Sequence, residues 1–396
     1  MKLIDPVSVM QRLSVEALCE TADKYYRSLV DPTEQMSKPF SSVFLAPDML
    51  INLGQLLSGL HLTRSMTVLD FASGTCWISR YLNQMHCVTI SLDASEAALA
   101  IGQRLFNEYP TIGIPLSSPT FLHFNGRRIN LPDASVDRIV CFDAFHHIPN
   151  QQEILAEMAR VLKPGGIAGF SEPGRLHSQT PMSQKEMADY DVLENDLVLE
   201  DVVELAYSVG FTASTCKLSC GGELTLDEYK ALIARSPSRA LKRRILSEAT
   251  NTMTSKSVFF LHKGSRKLDS RSVEGLSCDI TIDSQQLSVN AGDEFSIRCF
   301  IRNTGQARWL HSNPRTEGIV RVGTHLCDEN GKLVTIDFSR SALEQDIEPG
   351  ETTICNVTLR IAAPGRYRVM IDMVSEYVCW FEQLGFKPLA VEVLIT

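Results

Sequence analysis

Val68-Leu69-Asp70-Phe71-Ala72-Ser73-Gly74-Thr75-Cys76 decides the fold of this chain. It reads as a short buried strand ending in an acid, a tight turn of small residues, and the start of a helix, Trp77-Ile78-Ser79-Arg80-Tyr81-Leu82. Small side chains at 72, 73 and 74 let backbone approach a ligand, and Gly74 can take the positive φ that a sharp strand-to-helix turn needs. Further along, a second apolar strand, Val88-Thr89-Ile90-Ser91-Leu92, ends in Asp93. A carboxylate at that tip is placed to accept hydrogen bonds from the two hydroxyls of a ribose. The two strands together point to a nucleoside ligand.

The turn narrows the choice of nucleoside. A dinucleotide site wants Gly-x-Gly-x-x-Gly, with helix amides facing a pyrophosphate. Here the pattern is Asp-x-Ala-x-Gly, with Trp77 where that fingerprint needs its third glycine. Asp70 beside the ligand suits a cationic amino group better than a phosphate. The segment resembles motif I of class I S-adenosylmethionine-dependent methyltransferases, (D/E)-x-G-x-G, with Ala72 in place of the first glycine.

The resemblance continues in the family's order over roughly residues 40–263. Phe124-Asn125-Gly126 falls where the family places an acid or amide near the adenine. Val136-Asp137-Arg138-Ile139-Val140-Cys141-Phe142-Asp143 resembles its fourth strand, which lies beside cofactor and acceptor. Arg160-Val161-Leu162-Lys163-Pro164-Gly165-Gly166 resembles the turn before its fifth strand. The resemblance implies S-adenosyl-L-methionine as cofactor, with Asp70, Ala72, Gly74, Asp93, Asn125 and Asp143 as the residues expected to bind it.

Composition sets the outer limits. The chain has 396 residues, 44% of them hydrophobic and 21% charged, which is globular material sufficient for two domains. A net charge of −9 argues against a nucleic-acid partner, which would call for a basic face. The arginine- and lysine-bearing stretch 235–244 reads as a solvated helix face. Eleven scattered cysteines contain no Cys-x-x-Cys pair, and Cys216 and Cys220 lack the further ligands of a zinc set. Reduced thiols, no apolar signal core and no run long enough to span a membrane lead to the expectation of a cytoplasmic protein.

Residues 1–65 read as helices, and the resemblance implies that they form a lid, with Tyr25, Tyr26, Lys38 and Phe40 at the substrate mouth. From 66 to 263 strands and helices alternate, so the expected fold is an α/β Rossmann-like domain with a seven-stranded sheet, whose last strand the resemblance implies to be antiparallel. Residues 264–277, polar and patternless, read as a linker. From 278 to 396 the grammar changes to alternating apolar and polar residues between Gly, Asn and Pro turns, which implies an antiparallel β-sandwich. Arg302-Asn303-Thr304-Gly305 and Glu348-Pro349-Gly350-Glu351 make it resemble immunoglobulin-like accessory modules, some of which bind sugar on polysaccharide-modifying proteins.

Methyl transfer to a hydroxyl needs a base. His146, Glu172 and His177, in or after the fourth and fifth strands, are the candidates, with His146 preferred over His147 for reaching the acceptor. In the sandwich, Trp309, His325, Glu376, Trp380 and Phe381 could serve a sugar, although Trp309 and Trp380-Phe381 also stand where core aromatics belong. The expected activity is O-methylation of a sugar or glycoconjugate in surface polysaccharide biosynthesis, with a glycan or small-molecule acceptor and polysaccharide assembly proteins as partners. Two alternatives remain: a small lipid, quinone or secondary-metabolite acceptor, with the sandwich used for docking or dimerisation, and a catalytically silent scaffold.

Overall fold

The computed structural model describes residues 3–109, 117–265, 267–313 and 316–396. The chain divides into two compact units, with the division between residues 266 and 267. No described helix is long and apolar enough to cross a membrane.

The first unit opens with α1 (Pro6–Arg12), α2 (Val15–Ser28), α3 (Thr33–Met36) and α4 (Ala46–Leu60). Alternation follows: β1 (Thr67–Phe71), α5 (Trp77–Gln84), β2 (Val88–Asp93), α6 (Glu96–Glu108), β3 (Thr120–His123) and β4 (Val136–Phe142). The chain continues through α7 (Gln151–Val161), β5 (Leu162–Pro173), α8 (Pro181–Tyr190), α9 (Leu199–Ser208), β6 (Ala213–Cys216), α10 (Leu226–Ile233), α11 (Arg239–Ser255) and β7 (Lys256–Lys263). The sheet runs β3-β2-β1-β4-β5-β7-β6, parallel except for β7, which is antiparallel to both neighbours.

Strands buried on both faces read as nearly continuous apolar runs, as β1 and β4 do. Their alternate residues feed two cores. Leu69, Phe71, Ile139, Cys141 and Phe259 join Phe145, Phe170 and α7 on one face. Val68, Val140, Val258 and Phe260 join Leu56, Leu60, Trp77 and Leu82 on the other. Trp77 packs edge-on against Phe142 and Tyr81, so it serves the core rather than the ligand. Because β1 is flanked by β2 on one side and β4 on the other, a crevice opens at its carboxyl end.

The turn expected before β5 lies inside it: pairing with β4 shifts register between Leu162 and Ile167, and Gly165 has φ +79°. α1–α3 and α8 make the lid, whereas α4, expected to belong to it, packs on the sheet face through Leu56 and Leu60. Val9, Leu18, Met187 and Leu193 share a small core of their own.

The second unit contains β8 (Cys278–Ile282), β9 (Gln286–Val289), β10 (Glu294–Asn303), β11 (Val320–Asp328) and β12 (Leu333–Ala342). It ends with β13 (Thr352–Arg360), β14 (Gly365–Ser375), β15 (Cys379–Trp380) and β16 (Leu389–Ile395). These form a sheet β13-β10-β8 and a larger one, β12-β11-β14-β16-β9, with β15 on β14. One core joins the two sheets, and Trp309 and Phe381 lie fully inside it. They therefore present no stacking face. Trp380 rests on Gly323, beside His325 and under Arg340, while Glu376 is paired with Arg321 and Arg340. Of the expected linker, residues 267–277 belong to this unit: Ser270 Oγ donates to the Gly318 carbonyl at 2.6 Å, and the Ser270 carbonyl accepts from Ser375 Oγ at 2.6 Å.

Gly59, in α4, gives a test of the sheet-face core. A Cβ there would stand 2.0 Å from Phe260 Cζ. Helix propensity alone favours alanine over glycine by about 1 kcal/mol. Overpacking costs about 1–3 kcal/mol and should outweigh it. Gly59→Ala is therefore expected to lower the chemical denaturation midpoint of the first unit; a raised midpoint would contradict the packing described.

Candidate active site

Ala72, Gly74 and Cys76 all take left-handed backbone conformations, with φ of +53°, +51° and +59°. Such turns are costly for residues with a Cβ, on the order of 1–2 kcal/mol each. Hydrogen bonds to the next strand hold the turn in place. Ser73 N–H donates to the Leu92 carbonyl at 3.0 Å, and Gly74 N–H donates to Asp93 Oδ2 at 2.7 Å. The other Asp93 oxygen accepts from Ser95 N–H at 2.8 Å, at the start of α6. Burial pushes the Asp93 carboxyl up, with the Ser95 and Gly74 amides opposing.

The lid is tied to the same corner. Ser95 Oγ donates to Asp23 of α2 at 2.9 Å, and Ala97 N–H donates to the same Asp23 oxygen at 3.0 Å. Tyr26, one helical turn further, stands over the turn; a Cβ on Gly74 would lie 2.8 Å from its hydroxyl. Burial raises the Tyr26 phenol, so it stays protonated.

Between turn and lid lies a cavity of about 280 Å³. Ala72, Gly74, Asp93 and Asp143 reach it from the strand tips, and Tyr25, Tyr26, Gln35 and Lys38 from the lid. His147, Ile148, Glu186, Tyr190 and Leu193 close the far wall. Asp143 has φ +50° and pairs with Lys256. Burial lowers the Lys38 ammonium, against the pull of Asp143, Glu34 and Glu186.

Six expectations need correction. Asp70 does not reach the cavity. It is buried under α5, where its Oδ2 accepts from Ser79 N–H at 3.0 Å and Ser79 Oγ at 2.7 Å. Asn125 is exposed and builds a turn, accepting from the Arg127 and Arg128 amides at 3.0 and 2.9 Å; its neighbours Phe124 and Gly126 line the wall instead. Phe40 is 65% exposed and stands off the cavity.

The three expected bases also move. Glu172 is fully buried and accepts from the amides of Ala144 and Phe145 at 3.0 and 2.9 Å, capping the turn after β4. Burial raises its carboxyl, with those amides opposing. His146 is buried behind the wall, its Nδ1 2.8 Å from Glu172 Oε2, and burial drives its basicity well down. His177 lies outside the lining, with Nε2 2.8 Å from Glu194 Oε2. His147, not His146, is the imidazole at the cavity. Its Nδ1 is 2.6 Å from the Leu193 carbonyl and 3.3 Å from Glu194 Oε1.

Glu194 lies between α8 and α9 in a stretch that is neither helix nor strand and has no periodicity to single it out. Despite burial, His177, His147 and His146 hold its carboxyl down to about 2, while burial and Glu194 itself raise Glu186. Glu186 and Tyr190 belong to α8, whose start was signalled by Thr180-Pro181: the threonine caps the helix and proline fills its first position.

Residues 69–170 match a family described as a methyltransferase domain. A Mycolicibacterium smegmatis protein named a probable S-adenosylmethionine-dependent methyltransferase is 29% identical over 157 residues, 37% of this chain and 57% of that protein. The ubiquinone/menaquinone biosynthesis C-methyltransferase of Shewanella pealeana is 29% identical over 115 residues, 27% of this chain and 44% of its own length. A protein of Mycobacterium tuberculosis, also named a probable S-adenosylmethionine-dependent methyltransferase, is 32% identical over 87 residues, 22% of this chain and 28% of its own length. The chain thus spans about half the length of these curated relatives, or less. Within the first unit, residues 69–170 are thus similar to a methyltransferase domain.

Asp70 makes a prediction about pH. Burial pushes its carboxyl up to about 7. An unfolded aspartate ionises near pH 4, so between about 4 and 7 the folded chain keeps a proton that the unfolded chain has lost. This group therefore makes stability fall as pH rises across that window, by up to about 4 kcal/mol. Asp70→Asn is expected to flatten that fall, gaining on the parent chain between pH 4 and 7.5 in chemical denaturation. Parallel curves would contradict the burial assigned to this carboxyl.

Proposed function

We propose that the first unit transfers the methyl group of S-adenosyl-L-methionine to a small acceptor held beneath its helical lid. The Asp93 carboxylate carries this reading: it stands on the cavity wall at the tip of β2 while tethering the left-handed Gly74 turn. Each Asp93 oxygen has spent one lone pair on a backbone amide and keeps another for a ribose hydroxyl. Ala72 and Gly74 offer backbone with little side chain at the same wall. Lys38, with no hydrogen-bond or ion-pair partner among the described residues, gives the lid a cation for the carboxylate of the methionine part.

When bound, the cofactor supplies a methyl group on a sulfonium sulfur, and transfer is an in-line displacement. The protein's share is alignment and exclusion of water. Tyr25, Tyr26 and α8 cover the cavity, and His147 with Ile148 and Leu193 bounds the side where an acceptor would lie. That aromatic and apolar wall favours a lipid, quinone or secondary metabolite, in keeping with the Shewanella relative's part in quinone biosynthesis. The second unit, with two sheets around one core in an immunoglobulin-like manner, then serves docking or dimerisation. A sugar or glycoconjugate acceptor has less support, since Trp309 and Phe381 are enclosed.

Labelled S-adenosylmethionine offered with quinone, phenolic and oligosaccharide acceptors, followed by product mass spectrometry, tests the reading. Label is expected on a small apolar acceptor. By calorimetry Asp93→Ala should weaken S-adenosylhomocysteine at least tenfold, about 1.4 kcal/mol. Failure of the parent chain to bind S-adenosylhomocysteine would overturn the proposal.

A further inference from the structure

Behind the His147 wall, lone pairs converge without enough donors to satisfy them. Glu172 receives amide N–H groups from Ala144, Phe145 and His146, so it acts as an acceptor and His146 Nδ1 donates to it. That tautomer leaves His146 Nε2 as a bare lone pair. It faces Glu194 Oε2 at 3.8 Å, which is an acceptor facing an acceptor. The Leu193 carbonyl can only accept, so His147 Nδ1 donates there at 2.6 Å and its Nε2 is bare as well. Glu194 is 2% exposed, and its Oε1 has no hydrogen-bond partner among the described residues.

We infer that His146, His147 and Glu194 form a binding site for one divalent transition-metal ion, most suitably zinc. One ligand atom from each of the three lies within 4.8 Å of the others. Around tetrahedral zinc, with bonds of about 2.0–2.2 Å, ligand atoms stand roughly 3.4 Å apart, so closing by up to about 1.4 Å suffices. Two imidazoles and a carboxylate are a donor set that suits this ion. The outer contacts fit too: a histidine that binds metal usually passes its other N–H to a carboxylate or a carbonyl. Glu172 does this for His146 and the Leu193 carbonyl for His147. His177 donates to Glu194 Oε2 from outside the set, and Glu186 is the further carboxylate facing it. Since His147 and Glu186 line the cavity, a fourth position would open toward it, where the ion would polarise an acceptor oxygen.

Metal content tests this without any methyl donor, so the outcome is independent of the activity proposed above. The untagged full chain is stripped with chelator, dialysed against zinc chloride and read by plasma mass spectrometry. Cys216→Ser/Cys220→Ser removes the two exposed thiols as rival ligands. One zinc per chain is expected in that background, with at least a tenfold loss of affinity in Glu194→Gln. His147→Gln, at the cavity wall, provides a second variant should Glu194→Gln fail to fold. Cobalt substitution should give visible bands that either variant weakens. Less than a tenth of an equivalent of zinc in the parent chain, or equal zinc in parent and variants, would overturn the inference and leave water as the occupant of the gap.

Discussion

A carboxylate with two amide donors on different elements controls the geometry of this molecule's ligand-facing edge. Asp93 takes Gly74 N–H from the turn after β1 and Ser95 N–H from the start of α6. Charge-assisted bonds of this kind are roughly twice as strong as neutral ones, which helps offset the cost of three left-handed residues in a row of five. Ser95 then passes the constraint to Asp23 and so to the lid. Turn, α6 and lid are thus positioned by one strand tip, and the cavity is the space left between turn and lid.

The contrast between Asp70 and Asp93 follows from register. Asp70 pairs with Ser91, so Asp93 lies two residues further along the same edge of the sheet. Two residues of strand are about 6.6 Å. Asp70 therefore ends beneath α5, within reach of Ser79, while Asp93, still paired with β3, passes the end of β1 and meets the cavity. Both acids close a strand in the sequence, yet one faces the cavity and the other holds a helix. The same depth argument separates Glu172, whose carboxylate turns back into the β4 turn, from Asp143, which stands beyond it.

Much of the first unit was legible in the amino acids. The runs at 68–71, 88–92 and 136–142 revealed β1, β2 and β4 near their observed places, because parallel strands buried on both faces carry a strong local signal. Ala72, Gly74, Asp93 and Asp143 were readable from strand-end position, and the structure brings them to one cavity. Side-chain direction was not readable. His146 and His147 occupy a single short 3-10 turn, where one residue of rotation exchanges the buried and the open ring. Glu194 carries no sequence signal, since it gains its partners only once His146 and His147 of one turn and His177 of another surround it. In the second unit alternation revealed the strands, but Trp309 and Phe381 could be told from ligand-facing aromatics only by the core that encloses them.

A crystal structure of the full chain with S-adenosylhomocysteine tests the central claim most directly. The ribose hydroxyls are expected on the Asp93 oxygens, with the Gly74 amide still bonded to that carboxylate and Asp70 still on Ser79. A nucleoside bound elsewhere, or Asp70 swung out to meet it while Asp93 stays unengaged, would contradict the account.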